Sequence, residues 1–182
     1  MIYNKTVSMA LLIILVSVIG GLSGCAGSIA TKTMVPDSIS ILQKHPYTVS
    51  IRTQGGTETN VTDFSNISND AFTKAIEESI IKSGIFTKVM PPQGSNYSLN
   101  VTIINFSQPF LWTGFTAEME AAWSLVNTLS KDIVMRKSIK SSYTAAKGNP
   151  LIGNARIRHA VEGSARENIR LGLIAISKLQ LK

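Results

Sequence analysis

Cysteine is all but absent from this 182-residue chain, with Cys25 the single example. No disulfide can close within the chain, and zinc sites built on paired thiolates are excluded. Histidine is nearly as scarce: His45 and His159 lie far apart, and neither sits in an H-E-x-x-H spacing. No metal and no cofactor is therefore expected. Acidic residues number 11 against 18 Lys plus Arg, a net charge of +7, which biases the chain toward anionic surfaces. Long apolar runs are missing as well. The longest, from Met9 to Ile19, falls short of the roughly 20 residues that cross a bilayer.

What is there begins with that run. The first residues, MIYNKTVSMALLIILVSVIGGLSGC, combine a polar start carrying Lys5, an apolar stretch and small residues ending at Cys25, the layout of a secretory signal. Leu22-Ser23-Gly24-Cys25 resembles the lipobox of bacterial lipoprotein precursors, a branched apolar residue and two small ones before the cysteine that takes a diacylglyceryl group. The resemblance implies removal of residues 1–24 and a lipid-modified Cys25. Each buried methylene adds about 0.8 kcal/mol of membrane affinity, so several acyl chains hold firmly. The membrane is thus one expected partner. Ala26, in place of the aspartate that retains lipoproteins at the inner membrane of a diderm, implies the outer membrane, facing the periplasm. Export removes the chain from nucleic acid, which is not an expected partner.

From Cys25 to Pro46 the chain is small and polar with no sustained period, and residues 25–46 read as a tether to a single domain over 47–182. Tyr47, Val49 and Ile51 alternate with Thr48, Ser50 and Arg52, a strand with one buried face. Residues 54–68 are polar and read as a loop. Asn69 and Asp70 offer capping oxygens, Phe72, Ile76 and Ile80 share a helical face, and Ser83-Gly84 ends the helix. Ile85 to Met90 is β-prone and stops at Pro91-Pro92. Tyr97, Leu99, Val101 and Ile103 alternate again. Phe115 to Leu125 is the longest alternating run, with Glu118 and Glu120 on its polar side. Ile133 to Tyr143 gives a weaker fifth strand, interrupted by Arg136, Lys137 and Lys140. Ile157, Val161, Ala165, Ile169, Leu173, Ile176 and Leu179 then form one helical stripe. Gly163 and Gly172 within it weaken a helix by roughly 1 kcal/mol each relative to alanine, which points to close packing on the sheet or a slight bend. The order β-α-β-β-β-β-α predicts an α+β two-layer sandwich, a mostly antiparallel sheet with two amphipathic helices on one face.

The lipobox, the strand Tyr47–Arg52, the helix Asp70–Lys82 running through Ser83-Gly84-Ile85-Phe86, the strand Tyr97–Ile104 and the closing helix Asn154–Leu179 together resemble a group of small periplasmic lipoproteins. The group includes the YajG-type proteins, the penicillin-binding-protein activators, the curli-secretion lipoproteins and the N-terminal domain of TolB. The resemblance implies binding or assembly and supplies no catalytic residue.

Residue patterns that elsewhere carry chemistry are weak. Ser79-Ile-Ile-Lys82 has the Ser-x-x-Lys spacing of penicillin-recognising serine enzymes, yet lies inside a helix with no Lys-Thr-Gly companion. Glu118 and Glu120 fall on one strand face, as a carboxylate pair for acid/base work would, and as exposed residues keeping a face soluble also would. Asn60, Asn66, Asn96, Asn100 and Asn105 head Asn-x-Ser/Thr triplets, which in a bacterial lipoprotein reflect composition alone. The apolar cluster Phe110, Leu111, Trp112 and Phe115 around Gly114 reads either as core or as an exposed anchor for a partner, and it is the partner-binding candidate.

The expectation is a non-enzymatic envelope lipoprotein binding a protein partner or peptidoglycan, with oligomerisation open. The alternative is a ligand- or lipid-binding auxiliary of an envelope transport system, which requires an apolar pocket. An envelope enzyme is the third and least expected.

Overall fold

A computed structural model of the chain describes residues 31–57, 66–107, 115–146 and 153–182. Within them run β1 (His45–Gln54), α1 (Asn69–Ser83), β2 (Phe86–Val89), β3 (Tyr97–Ser107), β4 (Thr116–Asn127), β5 (Ile133–Thr144) and α2 (Gly153–Ile176), preceded by a 3-10 turn at Thr31–Met34. The element order is the one the hydrophobic periods predict.

The strands form one sheet in the order β2-β1-β3-β4-β5. β1 lies parallel to both β2 and β3: α1 carries the chain back from β1 to β2 on the outer edge, and residues 90–96 then cross to the other side of β1, where β3 starts in the same direction. The long β3-β4-β5 meander is antiparallel and supplies most of the paired residues. α1 lies over β1 and β2, α2 over β4 and β5. Alternation puts Val49, Leu99, Val101 and the β4 series Ala117, Met119, Ala121, Trp123 and Leu125 under the helices, all wholly buried. Burying each large side chain of this set contributes about 1.5–3 kcal/mol.

Local chemistry sets the helix ends. Ser68, one residue ahead of the expected caps, is extended and its Oγ accepts from the Ala71 N–H at 3.2 Å. Asn69 instead turns its Oδ1 to the Gly56 N–H at 2.8 Å, and Asp70 pairs with Lys74 one turn on. Gly84 ends α1 in the left-handed region, φ 62°, its N–H donating to the Ile80 carbonyl.

Three expectations change. The tether is docked from Thr31 onward: Met34 is fully buried and Val35, Ile39 and Ile41 pack on the core, while Lys82 Nζ donates to the Pro36 carbonyl at 3.0 Å. Four apolar residues without a helical or strand period conceal such a segment from sequence reading. His45, expected at the end of the tether, is the buried first residue of β1, its Nε2 3.0 Å from the Ile176 carbonyl at the end of α2. Ser50, expected on the exposed side of β1, is covered because Ser95 folds back beneath the strand and its hydroxyl donates to Ser50 Oγ at 3.1 Å.

Candidate functional site

Of the partner-binding candidates, Phe110, Leu111 and Trp112 lie outside the described residues, as does Cys25. Phe115 is half-buried against the core, and the Arg156 guanidinium lies 4.4 Å above its ring. Arg156 also donates to the Ala146 carbonyl at 3.1 Å. At the same flank of α2, Tyr143 meets His159 edge-on at 5.4 Å and carries Arg166 over its face at 5.3 Å. Arg166 reaches on to the Thr33 carbonyl at 3.0 Å, so α2 holds the incoming chain to the fold. The arginines were legible only as the polar side of a helix; their stacking on Phe115 and Tyr143 depends on β4 and β5 passing beneath.

The second candidate surface is the uncovered sheet face. Glu118 and Glu120 share it, as their spacing requires, but only Glu120 is engaged. Its carboxylate accepts from the Ser138 hydroxyl at 2.5 Å and lies 3.6 Å from Lys140. Asn105, Glu118, Glu120, Lys140 and Ser142 surround an open hollow of about 300 Å³. A carboxylate shared by a serine and a lysine on an open sheet is a solvated cross-strand contact.

The remaining sequence candidates resolve into structural roles. Ser79 is buried and its hydroxyl donates to the Ala75 carbonyl at 2.6 Å, while Lys82 serves Pro36, so the Ser-x-x-Lys pair has two separate partners. Among the described residues no group of three or more His, Cys, Asp or Glu is placed to hold a metal ion, and no helix is long and apolar enough to cross a membrane. On α2, Glu167 receives two hydrogen bonds from Arg170, at 2.8 and 2.6 Å, which hold its carboxyl below the usual glutamate range.

Between β5 and α2 an open groove of about 460 Å³ is lined by the apolar Met135, Ile139, Leu171, Ile174 and Leu179 and by Lys137, Lys140 and Lys178. Its openness follows from β5 being an edge strand, whose exposed basic side chains guard against pairing with another sheet.

One surface went unremarked in the sequence, the turn between β4 and β5. Asn127 Oδ1 accepts from the Leu129 and Ser130 N–H groups at 2.9 and 3.1 Å, and Lys131 takes a left-handed φ of 65°. The Thr128 hydroxyl donates to the Ser95 and Asn96 carbonyls. This bonded turn holds Leu129 out into water, 92% exposed. The signal was an apolar residue inside the polar run Asn127–Asp132.

No family model and no curated protein sequence matches the chain. Solved structures do share the fold. Protein XCC0632 from Xanthomonas campestris superposes with a TM-score of 0.56 at 10% identity, over 77% of this chain and 93% of that one. Protein CT253 from Chlamydia trachomatis gives 0.56 at 8% identity, over 74% and 98%. PelC from Paraburkholderia phytofirmans, solved as a dodecamer, gives 0.51 at 12% identity, over 79% and 95%. At these identities the likeness establishes a common α+β architecture.

Proposed function

We propose that the chain is a lipid-anchored envelope lipoprotein acting as a non-enzymatic binding or assembly factor for a protein partner or the cell wall. The observation that carries this reading is the junction Leu22-Ser23-Gly24-Cys25 closing an apolar signal run. The fold adds a dimension to it. Because the chain docks from Thr31, only residues 25–30 separate Cys25 from the domain, a leash of at most about 20 Å at ~3.3–3.6 Å per residue. The domain works close to the bilayer. The fold it shares with PelC, a protein that assembles into a dodecamer, favours the assembly side of the reading. So does the placement of Phe115 at the end of the segment 108–114, beside the Arg156 guanidinium.

The test is in-cell crosslinking from a photoreactive residue at Trp112. A single discrete adduct with one envelope protein is expected; random adducts, or none, contradict a dedicated partner at that loop. A second reading, carriage of a lipid or small apolar ligand, draws on the open groove between β5 and α2, whose lining is part apolar and part lysine. It predicts that Leu171→Glu abolishes co-purification of an apolar ligand; a protein purified without any such ligand contradicts it.

A further inference from the structure

We propose that the end of the sheet bearing the β4–β5 turn is a docking surface for an anionic lipid bilayer. The strand register gathers one set of residues there. Val49 of β1 pairs with Tyr97 and Tyr97 with Asn127, so the start of β1, the start of β3 and the β4–β5 turn lie at one end. The end of α2 joins them: His45 meets the Ile176 carbonyl, the Leu42 N–H donates to Ser177 Oγ at 3.3 Å, and Tyr97 donates to the Lys182 carbonyl at 2.6 Å.

This end presents two leucines to water, Leu129 at 92% and Leu42 at 77% exposure, with Ile133 half exposed beside the turn. Around them stand Lys44, Lys131, Lys178 and Lys182, all exposed, against Asp132 as the acidic side chain of the set. Scattered exposed leucines are ordinary. Here one of them is held outward by a turn whose backbone is bonded at Leu129, Ser130 and Lys131, so it cannot fold back onto the core. Cations beside helix C-termini are also ordinary, which accounts for Lys178 after α2 and for Lys44, whose Nζ lies 3.5 Å from where a Cβ on Gly84 would stand. Lys131 Nζ donates to the Thr128 carbonyl at 2.6 Å, which keeps its charge on the turn beside Leu129; no such role accounts for the leucines. Apolar tips among lysines match the layering of a bilayer surface, acyl chains beneath anionic headgroups.

The occupant follows from these side chains and not from the lipid anchor proposed above, because the chain from Cys25 joins the fold at Thr33, which Arg166 holds on the Tyr143 side of α2. The surface itself stands on the exposed residues alone.

The test uses the full chain in phosphatidylethanolamine vesicles with and without phosphatidylglycerol. A photoreactive leucine analogue is placed at position 129 or, as control, at position 104, where Ile104 is 56% exposed toward the opposite end of β3. Several-fold more lipid adduct at 129 than at 104, rising with phosphatidylglycerol and falling in a Lys44→Gln, Lys131→Gln, Lys178→Gln variant, is expected. Equal yields at the two positions, or yields indifferent to phosphatidylglycerol, overturn the surface, as does capture of a protein at 129 in cells. Fatty acid on Cys25 is read from the same samples. Its absence together with adducts at 129 removes the anchor and leaves the surface standing.

Discussion

Trp123 lies flat against Gly172: a Cβ built on that glycine would stand 2.5 Å from the indole ring, whose Nε1–H donates to Asn168 Oδ1 at 2.9 Å. β4 and α2 are thereby locked in one register, with the glycine admitting the ring and the asparagine fixing its edge. Gly172→Ala gains about 1 kcal/mol of helix propensity but must move a buried ring, and overpacking of that kind costs about 1–3 kcal/mol. A lower urea midpoint is therefore expected. An unchanged or higher midpoint would show that the ring yields freely.

Asn168 ties three elements together. Besides accepting from Trp123, its Nδ2 donates to the Ile139 carbonyl at 2.9 Å and to Ser141 Oγ at 3.1 Å, all of them buried. Asn168→Ala leaves the indole N–H without its acceptor, at a cost of about 1–3 kcal/mol for a buried unsatisfied group. Chemical denaturation measures the loss, and Asn168→Ala combined with Trp123→Phe recovers part of it if the orphaned N–H is the cause.

Ser68 caps α1 at its start. Ser68→Ala is expected to destabilise by about 1 kcal/mol, while Asn69→Ala should act instead through the lost Gly56 contact and loosen the preceding segment. Hydrogen exchange distinguishes them: the first variant speeds exchange at Ala71, the second at Gly56.

The Glu167–Arg170 pair makes stability depend on acid. The folded carboxyl titrates below its ordinary value because Arg170 hydrogen-bonds it, so its contribution is present above the unfolded glutamate pKa of about 4.3 and fades as pH falls through the lower folded value. The pair is about one-third exposed, which limits its worth to less than about 1 kcal/mol. Glu167→Gln should lower the melting temperature slightly at pH 7 and match the parent once the Glu167 carboxyl is protonated in both the folded and the unfolded chain. A gap that widens in acid would contradict the assignment.

Periodicity carried the fold. The strands of Tyr97 and Phe115, and the stripe from Ile157 to Leu179, each repeat long enough that one face must be buried, and Gly163 and Gly172 signalled the close approach now seen to Tyr143 and Trp123. The parallel placement of β1 between β2 and β3 was not legible, since alternation fixes a strand's faces and not its neighbours. Nor was the docking of Met34, whose burial depends on a groove made by two helices distant in sequence. For the candidate surfaces the limits were different. Glu118 and Glu120 were rightly placed on one face, but Ser138 and Lys140 reach Glu120 only through the β4–β5 register. Leu129 was hidden because a turn residue's exposure is decided by its bonded backbone.

Anchoring of this protein begins with a lipid on Cys25, which fatty-acid labelling in growing cells reads out. A labelled parent chain is expected, together with an unlabelled Cys25→Ser variant that accumulates uncleaved. Label retained by Cys25→Ser, or a parent chain that takes up none, would contradict it.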